Sequence, residues 1–174
     1  MRFRKIKTWL YILLAVIVIG YLIPQNFKMP VVGATRSSYD QRSFWYYPWG
    51  NSVTHKGVDI FAKEGTAITS STPGIVIYTG QIEKGGNVIL VLGPKWRFHY
   101  YAHLKEIKTK CFSYVNSSDT IATVGTTGNA QGKPPHLHYS IKTFIPYFWR
   151  IDTGIQGWKK MFFLNPVQYL NESF

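Results

Sequence analysis

The constraint that most limits this chain is the length of its apolar runs beyond Phe44. "GVDIFA", "AITSSTPGIVIYTG", "NVILVLG", "FHYYAHL", "TIATVG" and "HLHYSIK" are rich in β-branched and aromatic residues, and Gly, Pro, Asn or Ser bounds each of them. Such runs lack the length and period of an amphipathic helix but fit strands of a sheet. Six or more short strands in succession predict a mainly β fold, an antiparallel sheet or sandwich. "GQIEKGGN" sets Gly80, Gly85 and Gly86 around a charged tip, as a hairpin loop requires.

Composition narrows the class further. Aromatics make up 17% of the 174 residues and charged residues only 16%, which excludes a disordered chain, and the lack of Ala/Glu/Lys/Leu blocks argues against a helical bundle. With an N-terminal apolar segment set aside, about 140 residues remain, enough for one domain with its own core and too few for a second large one.

Trp9 to Ile23 carries no charge, and Arg2, Arg4, Lys5 and Lys7 precede it. As a helix this stretch covers about 23 Å, slightly less than a hydrocarbon core of about 30 Å, with its positive charge on the side that stays in the cytoplasm. The expected organisation is a basic cytoplasmic N-terminus at residues 1–7, one N-terminal transmembrane helix as an uncleaved signal-anchor at 8–24, a linker or arm at 25–43, and a β domain at 44–174. That domain would lie on the extracytoplasmic, periplasmic side of the cytoplasmic (inner) membrane. Lys and Arg outnumber Asp and Glu by 20 to 8, which attracts polyanions. Outside the membrane these are wall polymer or lipid, and nucleic acid is not expected as a partner.

Cys111 is the only cysteine, so no internal disulfide forms and the exported domain must rely on its core or a metal. Within "KTKCFSYV" it reads as a structural thiol on an alternating strand. "TFIPYFWRIDTGIQGWKK", Thr143 to Lys160, breaks the strand rhythm and predicts a loop packed on the domain or bordering a groove.

The chain has five histidines. In "PHLHYSIK", strand alternation points His136 and His138 to one side and Leu137 and Tyr139 to the other. Both imidazoles could bind one metal, or one could bind it while the other acts on water. In "THKGVDIFA", His55 and Asp59 are four residues apart with Gly57 between them to permit a bend. Imidazole nitrogen and carboxylate oxygen both suit Zn²⁺, and a catalytic zinc site takes three protein ligands and keeps one position open. His55, Asp59 and one member of the histidine pair meet that need. In "FHYYAHLKEI", alternation sets His99, Tyr101 and His103 on one face and Tyr100 and Ala102 on the other. His99 reads as an ordinary strand histidine.

"HKGVDIFAKEGTAITSSTPGIVIYTG", "GGNVILVLG", "YYAHL", "TVGTTGNAQGKPPHLHYSIK" and "LNPVQYL", in that order between Thr54 and Leu170, resemble the LytM/lysostaphin-like family of zinc peptidoglycan endopeptidases. The resemblance implies a LytM-type metallopeptidase domain over residues 44–174 and one Zn²⁺ held by His55, Asp59 and His138. It implies that His103 and His136 are the catalytic histidines, one taking the proton of a zinc-activated water and the other supporting the oxyanion. Tyr46 or Tyr47, in "FWYYPWGNSVTH", would be a further oxyanion or substrate contact, and Asn87 is read as turn structure. The substrate implied is the peptide cross-link of peptidoglycan. The alternative is a catalytically silent module that binds wall or activates a partner hydrolase; retention of all five metal and catalytic positions favours the enzyme.

Overall fold

A computed structural model describes residues 2–174, with side chains from residue 6 onward. Met1 and the side chains of Arg2, Arg4 and Lys5, on which the predicted basic N-terminus rests, lie outside the described residues. An N-terminal helix α1 (Arg2–Leu22) is followed by nine strands: β1 (Val58–Phe61), β2 (Ala67–Thr69), β3 (Gly74–Ile82), β4 (Gly86–Gly93), β5 (Arg97–Ile107), β6 (Tyr114–Val115), β7 (Thr120–Val124), β8 (His136–Thr143) and β9 (Phe163–Leu164). A short helix α2 (Pro166–Asn171) closes the chain, with Asn165 capping it and Pro166 in its first turn.

All the strand pairings are antiparallel. The sheet order is β1-β8-β5-β4-β3-β6, with β9 on β8 and β7 linking β2 to β5. The mainly β, antiparallel expectation therefore holds, with the strands joined in one sheet.

Pro24 lies two residues past the end of α1, where the chain can no longer remain helical. Among the described residues no helix is long and apolar enough to cross a membrane, so the transmembrane assignment to residues 8–24 gains no support from the fold.

The arm at 25–43 follows the sheet closely. Lys28 N–H donates to Ser71 O, Thr69 N–H donates to Pro30 O, and Val31 bridges Ile68. Val31 and Tyr39 are buried in the core, and the Tyr39 hydroxyl donates to Asn171 Oδ1 at the end of α2 at 2.8 Å. "KTKCFSYV" departs from the expected strand: Cys111 and Phe112 form a turn, with Phe112 at φ 67°, and the half-buried Cys111 thiol faces the Ile77 carbonyl at 3.3 Å.

Alternation on two strands separates core from chemistry. Val58 and Ile60 of β1, with Leu137, Tyr139 and Ile141 of β8, are fully buried, while Asp59, His136 and His138 face the other way. Truncating a side chain such as Leu137 to alanine is expected to cost about 2–5 kcal/mol. The β1–β8 register then pairs Asp59 with His138 and Phe61 with His136, and directly opposed strand residues are within side-chain reach.

Candidate metal centre

The candidate metal site begins with that register. Asp59 Oδ1 lies 2.8 Å from His138 Nδ1 and 3.2 Å from His55 Nε2, and the two nitrogens are 3.1 Å apart. His55 enters from the loop before β1, where Trp45 and Tyr46 pair with it through backbone hydrogen bonds. Its Nδ1 meets the Ser43 carbonyl at 3.0 Å and the Ser43 hydroxyl at 2.9 Å. A carbonyl can only accept, so Nδ1 carries the proton and Nε2 presents a lone pair to the cluster. Trp49 stacks on the other face of the ring at 4.0 Å.

Gly57 lies at a bend before β1, as expected, though without a positive φ. It also leaves room: a Cβ there would stand 2.5 Å from Tyr139 O and 2.8 Å from the His138 ring. Three ligand atoms thus converge within 4.8 Å of one another. Burial pushes the Asp59 carboxyl pKa up, but the close approach of His138 and then His55 outweighs it and holds the group well below the usual carboxylate range. Burial pushes the His138 imidazole pKa down, opposed by Asp59. A carboxylate and two imidazole nitrogens facing one point repel as lone pairs unless a proton or a cation lies between them. Two nitrogens and one oxygen form a donor set that fits Zn²⁺.

His103 reaches the same region by breaking the alternation of β5. It has φ 64°, and the β4–β5 register shifts at this point, Tyr101 pairing with Ile89 but Leu104 with Asn87. This bulge turns His103 to the side of Tyr100 and Ala102, correcting the expectation that it shares a face with His99 and Tyr101. The backbone there is anchored: His103 N–H donates to Gly85 O, and the Asn87 side-chain amide and the Thr127 hydroxyl both donate to Leu104 O. Gly86, at φ 63°, permits the close approach of Thr127 and Gly128 that this anchoring needs.

His103 Nδ1 donates to Thr127 O at 2.9 Å, and His136 Nδ1 donates to Pro134 O at 2.8 Å. When neutral, both rings therefore carry their lone pair on Nε2. Burial, with His138 next, pushes the His103 pKa down to about 4. His136 Nε2 is 3.9 Å from Asp59 Oδ2, and the His103 and His136 rings lie 5.0 Å apart.

Asp59, His103, His136 and His138 line a cleft of about 880 Å³, together with Trp49, Phe61, Tyr100, Lys84 and Lys133. Tyr46 and Tyr47 do not line it. Tyr46 is occupied by backbone pairing with His55, its ring lies edge-on to Trp49, and both tyrosines are more than half exposed. Tyr100 does line the cleft, its ring edge-on to His138 at 6.2 Å. Burial, with Tyr78 next, pushes its pKa up to about 12, so it remains a hydroxyl donor at neutral pH. The signal for Tyr100 was its spacing from Ala102, which pairs with His138. Ser43 and Thr127 act by holding His55 and His103, and no spacing in the sequence announces them. His99 lies away from the cleft in the core, and the 143–160 segment contributes nothing to the cleft lining.

The sequence model of Peptidase family M23 matches residues 53–147, more than half of the chain. The chain is 35% identical over 126 residues to the L-Ala–D-Glu endopeptidase of Bacillus subtilis, covering 66% of this chain and 37% of that protein. It is 32% identical over 110 residues to the murein hydrolase activator NlpD of Salmonella typhimurium, covering 58% of this chain and 28% of that protein. The catalytic domain of the antimicrobial peptidase lysostaphin from Staphylococcus simulans has a similar structure, with a TM-score of 0.59 and 25% identity, covering 74% of this chain and 89% of that one. The chain spans well under half the length of either curated relative.

Proposed function

Because this chain belongs to Peptidase family M23, we propose that it is a zinc-dependent endopeptidase that hydrolyses peptide cross-links in peptidoglycan. The observation that carries this reading is the convergence of His55, Asp59 and His138 on one point, with the free Nε2 atoms of His103 and His136 beside it in one cleft. Bound zinc would supply a Lewis acid that polarises the scissile carbonyl and brings the pKa of water to about 7. His55, Asp59 and His138 would hold it.

His103 and His136 share the proton handling. An uncharged imidazole accepts the proton of the attacking water and returns it to the leaving amine. Asp59 Oδ2 would stabilise His136 if that ring is protonated, and Tyr100, which lines the same cleft, would donate its hydroxyl to a developing oxyanion. Lys84 and Lys133, which line the cleft with Glu83 and form no ion pair among the described residues, would be available to carboxylates of wall peptides.

In this reading α1 attaches the domain to the outer face of the cytoplasmic membrane. Trp9, Leu10, Tyr11, Leu13 and Leu14 are all more than half exposed, a surface that calls for an apolar cover. Similarity to an activator supports a second reading, a module without activity of its own that stimulates a partner hydrolase.

Mass analysis of fragments released from purified peptidoglycan separates the two. The enzyme reading expects stem-peptide products whose release stops with a chelator and returns with zinc. Absence of products from the chain alone, with faster release by an added wall hydrolase, would establish the second reading.

A further inference from the structure

On the far side of β5 from the cleft, a second cavity of about 460 Å³ lies where the chain leaves α1, lined among others by Gln25, Lys95, Arg97, Tyr169 and Glu172. Arg97 is only 8% exposed. Its Nη1 donates to Gln25 Oε1 and its guanidinium lies over the Tyr169 ring at 5.3 Å, but its buried Nε has no hydrogen-bond partner. Neither Arg97 nor Lys95 forms an ion pair among the described residues, and Glu172, which also lines the cavity, pairs with neither. A permanently charged guanidinium buried without a counter-ion is unfavourable, and an anion entering the cavity would relieve it.

The position of the cavity narrows which anion that is. Lys95 Nζ donates to Tyr21 O at 3.1 Å and Trp96 Nε1 donates to Ile17 O at 3.0 Å, so the β4–β5 loop grips the last turn of α1. The loop reaches it through two left-handed residues, Lys95 at φ 60° and Trp96 at φ 55°, a strained backbone that persists only where surrounding contacts hold it. Trp96 fills the space over Gly20, where any Cβ would collide with the indole.

Across the helix, the Tyr21 side chain faces Thr143 and Tyr147. Tyr147 stacks on Trp149 at 5.0 Å, and Trp149, Phe148 and Phe144 are 79%, 65% and 74% exposed. Aromatic and basic side chains gathered where an apolar helix ends are the composition of a bilayer interface. The aromatic segment left unused by the cleft thus lies beside the cavity.

We propose that the cavity between Lys95 and Arg97 binds the phosphate of a phospholipid headgroup at the foot of α1. Lipid as the source of that phosphate rests on the membrane attachment proposed above. Occupation would fix how the domain stands on the bilayer, because the same loop holds both the headgroup and the helix.

The test uses the full chain in a phosphate-free, non-ionic detergent, following thermal unfolding with added phosphatidylglycerol or inorganic phosphate. Saturating phosphatidylglycerol is expected to raise the midpoint by about 4 °C or more, and inorganic phosphate at equal concentration by much less. Arg97→Gln is expected to abolish the rise, and Lys95→Gln to increase the half-saturating concentration about tenfold, the loss of one charge-assisted contact. Should Arg97→Gln fail to fold, the wild-type titrations and Lys95→Gln decide the matter. No rise with the lipid, or an unchanged half-saturation in Lys95→Gln, overturns the site. An equal response to inorganic phosphate overturns lipid as its ligand. Flotation of the full chain with neutral vesicles tests the helix separately: a chain that floats but shows no lipid-dependent rise keeps its anchor and loses the headgroup site, and one that does not float loses lipid as the source.

Discussion

His99 and His103 stand four residues apart on β5, and the fold treats them in opposite ways. His99 is fully buried and both of its nitrogens are engaged: Nε2 accepts from the Gln25 amide at 3.1 Å, and Nδ1 donates to the Tyr139 hydroxyl at 2.5 Å. His103, turned outward by its left-handed backbone, is fixed through Nδ1 alone and keeps Nε2 for the cleft. Burial is the first cause of a lowered pKa in both, to about 3 for His99 and about 4 for His103. Desolvation therefore does not separate the structural histidine from the chemical one. The unused lone pair does.

The largest effect that sharpens this contrast is expected at a metal ligand. His138→Ala removes one of three converging donors, so zinc measured by mass spectrometry should fall to background and fragment release from the wall should disappear with it. His103→Ala tests the free lone pair itself. It should keep its zinc while kcat drops by about 10²–10⁴, the usual contribution of a positioned acid or base. If His99→Gln, which leaves the cleft intact, lowered kcat as much, the distinction between the two histidines would collapse.

His99 should reveal itself in stability. Its folded pKa of about 3 lies below the ordinary value of 6.5, so the unfolded chain takes up the proton first as pH falls. The stabilisation is complete above about pH 6.5 and is lost progressively as pH drops from there towards 3. The loss on this account is roughly a few kcal/mol, and denaturant unfolding at pH 7 and pH 4.5 should show a smaller difference in His99→Gln than in the wild type. The smallest effect is expected for Ser43→Ala, because the Ser43 carbonyl still fixes the His55 tautomer. Competition with a chelator should show zinc affinity reduced by less than about tenfold, at the low end for an outer hydrogen bond.

Much of the candidate site is legible in the sequence, because strand alternation is a strong rule where the strand is regular. His136 and His138 against Leu137 and Tyr139, and Asp59 between Val58 and Ile60, follow it without exception. It failed at His103, where a bulge held by Asn87 and Thr127 reverses the face, and residues 40 positions apart in the chain leave no local trace of that contact. Asn87, read as turn structure, lies instead in β4, after the turn, and is one of the groups that hold the bulge. The arm at 25–43 has no periodicity because it is held on the sheet edge by isolated backbone bonds and a few buried side chains such as Val31. Tyr46 and Tyr47 are implied by the family resemblance alone, and of the same segment it is Trp49 that lines the cleft and stacks on His55.

The central claim is that three groups hold zinc while His103 works beside them. The most direct test measures zinc per chain and the initial rate of new amino-group release from purified peptidoglycan, for wild type and His103→Ala side by side. The account predicts one zinc per chain in both proteins and release by the wild type alone. One zinc per chain in a wild-type protein that releases nothing from walls of several cross-link types would contradict it.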